Sequence, residues 1–369
     1  MITNVLNGYP QAIKDIIVGL SDLYDEDSLG IILYGSAASN RLVYTITDHK
    51  YEFFSDIEFL LIPNNRKNIG NKNYRKEMIR KSSDYLKALP FISQAPFVDV
   101  YPVDESYFSK SQLRISTFEL KRTGKILKGK NYLELLPNVS KGNYNPAIQN
   151  IEIVKALKIL LIESNHYFLH NDEPSEREQS RFCYFLYSSY LNILRTLLPW
   201  FGYFKPSIEE RVALIPCLKK EVRVSKYFSE EQLNKFIDIA NHKQKGIFND
   251  NPKELFVFTF EGYKTLLCCL LESDRECLIK NIEQRKEAIF WGSEVKKNQL
   301  VLLTRFFIKS LNCLECLNNG SKITNQSINE VEACFDELIS GHNAYRLLNI
   351  IDNYTLMEKD RWKIIGSKD

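Results

Sequence analysis

Between Ile31 and Pro63 the chain reads IILYGSAASNRLVYTITDHKYEFFSDIEFLLIP. The apolar runs IILY and IEFLLI are too short for helices and too apolar for loops, so both predict buried strands. The first runs straight into Gly35 and Ser36, and the second opens on Asp56 and Glu58, two residues apart. Side chains at i and i+2 of a strand point to one face, so the spacing aims both carboxylates the same way. Like charges held together are costly unless something cationic lies between them. A third acid, Asp99, interrupts the apolar run PFVDVYPV at 96–103. An unpaired carboxylate buried there costs several kcal/mol without a metal or hydrogen bonds to compensate it.

Oxygen ligands of this kind suit Mg²⁺ or Mn²⁺, which bind one or two carboxylates and leave other positions to water and substrate phosphate. Three carboxylates on adjacent strands would hold one or two such ions. A glycine at position 35 permits close backbone approach after the strand. The start of the helix expected at Ser36 to Asn40, which includes Ser39, offers amide donors to a phosphate. The chemistry these features predict together is phosphoryl or nucleotidyl transfer. Each alone has a plainer reading. Gly-Ser after a strand is common, and Asp-x-Glu at a strand start is often a solvated strand end.

At 369 residues the chain is long enough for two domains. Its character changes near residue 140. Before that point, apolar runs of strand length alternate with amphipathic segments: a helix around Ala12 to Tyr24, the two strands, a basic helix around Tyr74 to Ala88, and the strand at 96–103. The stretch LLPNVSKGNYNPAIQN reads as a linker. Beyond it nearly everything carries helical period, with capping-box starts at Ser175 with Glu178, Ser207 with Glu210, and Ser229 with Gln232. The expected fold is α+β: a small mixed-sheet domain over 1–140, then an all-α helical bundle over 141–369.

A net charge of +3 gives no case for a protein that coats nucleic acid or a polybasic membrane binder. The eight cysteines, mostly inside helical patterns, suit reduced thiols in a cytoplasmic protein rather than a disulfide scaffold. No apolar run reaches the ~18 residues of a membrane span.

The order strand, Gly-Ser, helix, strand with Asp-Ile-Glu, then a later strand with one acid resembles the DNA polymerase β-like nucleotidyltransferase superfamily. YGSAAS followed by SDIEFLLI is most similar to its antibiotic-modifying branch, the kanamycin nucleotidyltransferase-like proteins, which join a minimal α/β domain to a helical one. The resemblance covers roughly residues 10 to 135, with a weaker echo in GKILKGKNYLELL. It implies that Gly35 and Ser36 hold the triphosphate, that Asp56 and Glu58 ligate the metal, and that Asp99 is the third acid. It places Lys121, Arg122 and Lys125 where relatives approach the nucleotide. It also implies a general base on the first helix after the linker, where LLIESNHYFLH offers Glu163 or His166. The spacing departs from the family, because nineteen residues separate Ser36 from Asp56. The insertion around RLVYTITDHKYEF must loop out or extend the helix and strand.

The implied function is transfer of an NMP, with AMP favoured, from an NTP to a hydroxyl of a small molecule such as an aminoglycoside, a lincosamide or a polysaccharide sugar. Two alternatives stay open: transfer to tRNA or protein as a toxin or defence enzyme, and a non-catalytic NTP-binding interaction module. The segment 64–83, with seven Lys or Arg against one Glu, is either a phosphate- or RNA-attracting face or a solvated helix face. CLEC at 313–316 lacks a second pair for zinc, and His166 with His170, four apart on one helix face, lacks a third ligand.

Overall fold

The computed structural model describes residues 6–111, 115–140, 149–170, 174–284 and 297–321, with a few positions between 326 and 333. It is a mixed α/β chain that divides into two compact units, residues 1–144 with 204–207, and residues 145–203 with 208–369. Residues 141–148 of the expected linker, the expected helix at 344–357 and Cys334 lie outside the described residues, as does most of the helix expected at 329–339.

In chain order the first unit runs α1 (Gln11–Asp22), β1 (Ser28–Tyr34), the single turn α2 (Gly35–Ala38), β2 (Tyr44–Thr47), β3 (Lys50–Phe53), β4 (Ile57–Pro63), α3 (Lys72–Lys87), β5 (Ile92–Gln94), β6 (Val98–Pro102), α4 (Glu105–Ser109), α5 (Ile115–Thr123) and β7 (Lys125–Lys128). Four strands form a mixed sheet in the order β6-β4-β1-β7, with β4 and β6 parallel and the other two pairs antiparallel.

Strand alternation sorts this sheet into two apolar layers. Ile31 and Leu33, Ile57, Phe59 and Leu61, and Val98 and Val100 pack with Ile13, Ile16, Ile17 and Leu20 of α1 and with Met78 and Leu86 of α3. The intervening residues Ile32, Leu60 and Ile62 pack with Phe108, Leu120, Tyr132, Leu133 and Leu136, and Tyr34 and Tyr101 join that layer. A sheet covered on both faces has no polar side, which is why its strands read as unbroken apolar runs.

The unusual spacing between Ser36 and Asp56 has a simple structural cause. The inserted residues form a hairpin, β2 paired with β3 from Tyr44↔Phe53 to Thr47↔Lys50, and β5 adds in parallel to make a second, three-stranded sheet. Asp48 and His49 form its two-residue turn, both with positive φ, 51° and 62°. That is the primed-turn geometry whose twist matches the strands it joins.

Among the described residues the second unit is helical: α6 (Gln149–His170), α7 (Glu176–Leu197), α8 (Ile208–Val212), α9 (Ile215–Leu218), α10 (Val222–Tyr227), α11 (Glu230–Lys245), α12 (Pro252–Leu271), α13 (Leu278–Gln284) and α14 (Lys297–Asn318). Ser175 with Glu178 and Ser229 with Gln232 close capping boxes at the starts of α7 and α11. CLEC lies within α14, with Cys313 buried and Cys316 exposed. No described helix is long and apolar enough to cross a membrane.

Left-handed backbone costs an ordinary L-residue about 1 kcal/mol that glycine does not pay. His49→Gly is therefore expected to stabilise the first unit by about that amount, read as a higher urea midpoint with an unchanged denaturant slope.

Candidate functional site

The acids gather at one end of the four-stranded sheet. In the parallel register of β4 and β6, Glu58 is the direct neighbour of Asp99. Across the antiparallel register, Glu58 pairs with Tyr34 at the end of β1. Alternation therefore puts Tyr34, Glu58, Asp99 and Tyr101 on one face, the face turned away from α1 and α3. Asp56, immediately before β4 and half-buried, is close enough to act electrostatically on Asp99.

Gly35 follows directly. Its φ is +69°, and a Cβ built there would lie 1.7 Å from Oε2 of Glu58. No other residue fits without displacing that carboxylate, so the close approach expected of this glycine is to Glu58 itself. The hydroxyl of Ser36 donates to the Asp56 carbonyl at 3.3 Å, tying the turn after β1 to the start of β4. Ser39 donates to the carbonyls of Gly35 (2.9 Å) and Ser36 (3.3 Å), which turns it back on its own turn. From the other side, the buried Tyr9 hydroxyl donates to the carbonyls of Ser36 and Ala37 and accepts from the Leu42 amide. The helix after Gly35 is only one turn long, so it brings little of the dipole that a longer helix would aim at a phosphate.

Asp99 does not meet the other acids unaccompanied. Nη2 of Arg75 sits 2.7 Å from its Oδ1 with the two side chains 11% and 1% exposed, a buried ion pair. Nε of the same guanidinium donates to the Val100 carbonyl at 3.0 Å, and its carbon lies 4.2 Å from the Tyr101 ring centre. Since β6 is an edge strand, Arg75 reaches round the sheet from α3 and satisfies a backbone acceptor on the way. Oδ2 of Asp99 is buried and makes no hydrogen bond of good geometry, although the Tyr101 side chain is near enough to help hold the carboxylate ionised. Burial pushes the Asp99 carboxyl up to about 6; Arg75 opposes this, and Asp56 adds to it. Burial also lifts the Tyr34 hydroxyl well above its ordinary range, helped by Glu58 and Asp99, so it stays a proton donor at neutral pH.

Arg75 is the residue that sequence reading missed. It was one of seven cations in a basic run, yet it has a signal of its own, because Arg75, Met78, Ser82 and Leu86 form one stripe at helical spacing and the other three are buried. The remaining cations of the run include the exposed Arg66, Lys67 and Lys72, and Arg80, which pairs with Glu77 and Asp84.

Two expected phosphate contacts are placed elsewhere. Nζ of Lys121 donates to the Leu136 carbonyl. Lys125 pairs with Leu33 in the β1–β7 register, which puts it on the α1/α3 face, opposite Glu58 and Asp99. Burial draws its ammonium pKa down. Arg122 lies over the Phe118 ring. Glu163 and His166 are half-buried on α6 of the second unit. The side chain of His170 lies outside the described residues.

Among the described residues, no three His, Cys, Asp or Glu side chains stand together as a ready-made metal cage. The donor set nevertheless suits a hard cation. It offers Glu58 and Asp99 as register neighbours, and Mg²⁺ needs only one or two protein carboxylates.

Removing one partner of a buried ion pair leaves an uncompensated charge, whereas replacing both with apolar groups does not. Arg75→Met is expected to cost about 3 kcal/mol in urea unfolding, and Arg75→Met combined with Asp99→Leu to recover most of it. The raised carboxyl of Asp99 also has a sign that can be tested. Its folded form holds a proton up to about pH 6, while the unfolded chain releases it near 4, so its contribution is present below pH 4 and lost as pH rises through 6. Relative to Asp99→Asn, the wild type should lose about 3 kcal/mol between pH 4 and pH 7.

No family model, curated protein or solved structure matched the chain when it was compared with them.

Proposed function

We propose that the chain is a metal-dependent nucleotidyltransferase that moves an NMP, with AMP favoured, from an NTP to a hydroxyl of a small molecule. One observation carries this reading. Glu58 and Asp99 are register neighbours on parallel strands, Asp56 stands two residues before Glu58, and Glu58 lies against a Gly-Ser turn whose glycine has no room for a Cβ. Packing of a doubly covered sheet does not itself call for acids at one end of it, and a cationic ligand would lower their mutual repulsion.

In this reading Asp56 and Glu58 would hold the ion, with Asp99 as the third acid beside Glu58. A divalent ion bound there supplies charge neutralisation to the phosphates and lowers the pKa of the attacking hydroxyl. Gly35 and Ser36 set the position of the acids by fixing the turn against Glu58 and the Asp56 carbonyl. Tyr34, held protonated, is a hydrogen-bond donor on the same face.

A second reading is favoured by Arg75. A carboxylate already neutralised by a buried guanidinium does not need a metal, and a non-catalytic NTP-binding module would keep such a pair.

Incubating the chain with NTPs labelled at the α-phosphate, Mg²⁺ and cell-extract fractions separated into small molecules, RNA and protein distinguishes these readings. The expected result is label transferred to the small-molecule fraction. Asp56→Asn should reduce transfer roughly a thousandfold, equivalent to the several kcal/mol of charge stabilisation a metal provides. Its melting temperature should stay near that of the wild type. Full activity in Asp56→Asn would sink the assignment; nucleotide binding with no transfer to any fraction would favour the non-catalytic module.

A further inference from the structure

The structure assigns Phe204 the role of a positioning residue: its ring braces α5, and through α5 it steadies the Gly35 turn against which Glu58 lies. Its bearing on transfer rests on the reading above, but the contact itself needs neither nucleotide nor metal.

In sequence Phe204 falls between α7 and α8, yet residues 204–207 group with the first unit. The short 3-10 turn after α7, Leu198–Phe201, ends at Gly202, whose φ is +78° and whose amide donates to the Pro199 carbonyl at 3.0 Å. A left-handed glycine of this kind stops a helix and redirects the chain. Pro206 biases Lys205 towards extended backbone, and α8 starts at Ile208. What lies between is a short strap with a stiff end, and Ser207 at that end is buried.

The Phe204 ring meets that of Phe118 edge to face, with centres 6.2 Å apart and planes at 61°, a favoured aromatic geometry. Phe118 belongs to α5, where the Arg122 guanidinium lies 5.7 Å from the same ring. Ile115, Thr117 and Leu120 of α5 are buried, and Leu120 packs with Ile32 and Leu60 of the sheet. α5 also packs against the Gly35–Ala38 turn. A single helical turn does not hold itself together, so its position depends on what lies against it. Its own closing bonds are the Ser39 amide to the Gly35 carbonyl at 3.3 Å and the Arg41 amide to the Ser36 carbonyl at 2.8 Å. Tyr9 ties two of its carbonyls, and α5 is the helix that covers it. A shift of Gly35 would take away the space that the Glu58 carboxylate occupies.

Amide hydrogen exchange of the full chain, read by mass spectrometry, tests the assignment. Phe204→Ala should speed exchange about fivefold, the factor one such ring pair corresponds to, in peptides covering 35–42 and 115–123. Peptides covering β4 and β6 should exchange as in the wild type. Phe204→Tyr, which keeps the ring, should restore wild-type exchange throughout. Unchanged exchange at 35–42 in Phe204→Ala would overturn the role of Phe204. So would an equal rise over β4 and β6, because that is general loss of stability and not positioning. Should Phe204→Ala fail to fold, Phe204→Leu, which keeps an apolar side chain without the ring, decides by the same readout. None of these outcomes touches the transferase reading, which the Asp56→Asn assay decides.

Discussion

A sheet with helices on both faces must be apolar on both faces, and that requirement governs the first unit. β1, β4 and β6 meet it along most of their length, giving one apolar layer to α1 and α3 and another to Phe108, Leu120 and the Tyr132–Leu136 segment. It fails at one end, where Glu58 and Asp99 are register neighbours. Because alternation ties every side chain on a strand to its neighbours, neither acid can be turned away without turning the core residues of its strand as well. The acids must be compensated where they stand. Arg75 compensates Asp99, and Gly35 leaves the room that the Glu58 carboxylate occupies.

The legible parts of this arrangement were those set by short-range pattern. Apolar runs of strand length located β1, β4 and β6, and strand alternation explains why Asp99 and Tyr101 lie opposite Val98 and Val100. Serines followed by an acid or amide three residues later marked the starts of α7 and α11. What stayed hidden was pairing at a distance. The hairpin of β2 and β3 was read only as an insertion, because its turn is Asp-His rather than the Asn-Gly that announces a primed turn. Lys125 looked like a phosphate contact by position, and only the register with Leu33 shows which face it takes. The Arg75–Asp99 pair joins residues 24 apart, and a cation among six others does not declare which acid it serves.

Gly35 shows how one residue can be identified correctly for an incomplete reason. From sequence, a glycine after a strand suggests a ligand approaching the backbone. In the structure the group approaching is a carboxylate of the protein, and the positive φ places the turn where Ser36 can reach the Asp56 carbonyl. The glycine thus fixes Glu58 and Asp56 relative to each other, and the geometry of any ligand site here is inherited from that internal contact.

The energetics of Asp99 distinguish a pair kept for stability from one kept for a ligand. A buried ion pair seldom stabilises a fold more than apolar residues of the same size would, because desolvating two charges consumes most of their attraction. If stability alone were at issue, an apolar pair at the edge of β6 would serve as well, and it would leave no orphaned oxygen. Arg75 instead satisfies one oxygen of Asp99, and the other is buried without a well-aligned hydrogen bond, with the Tyr101 side chain also acting on the carboxylate.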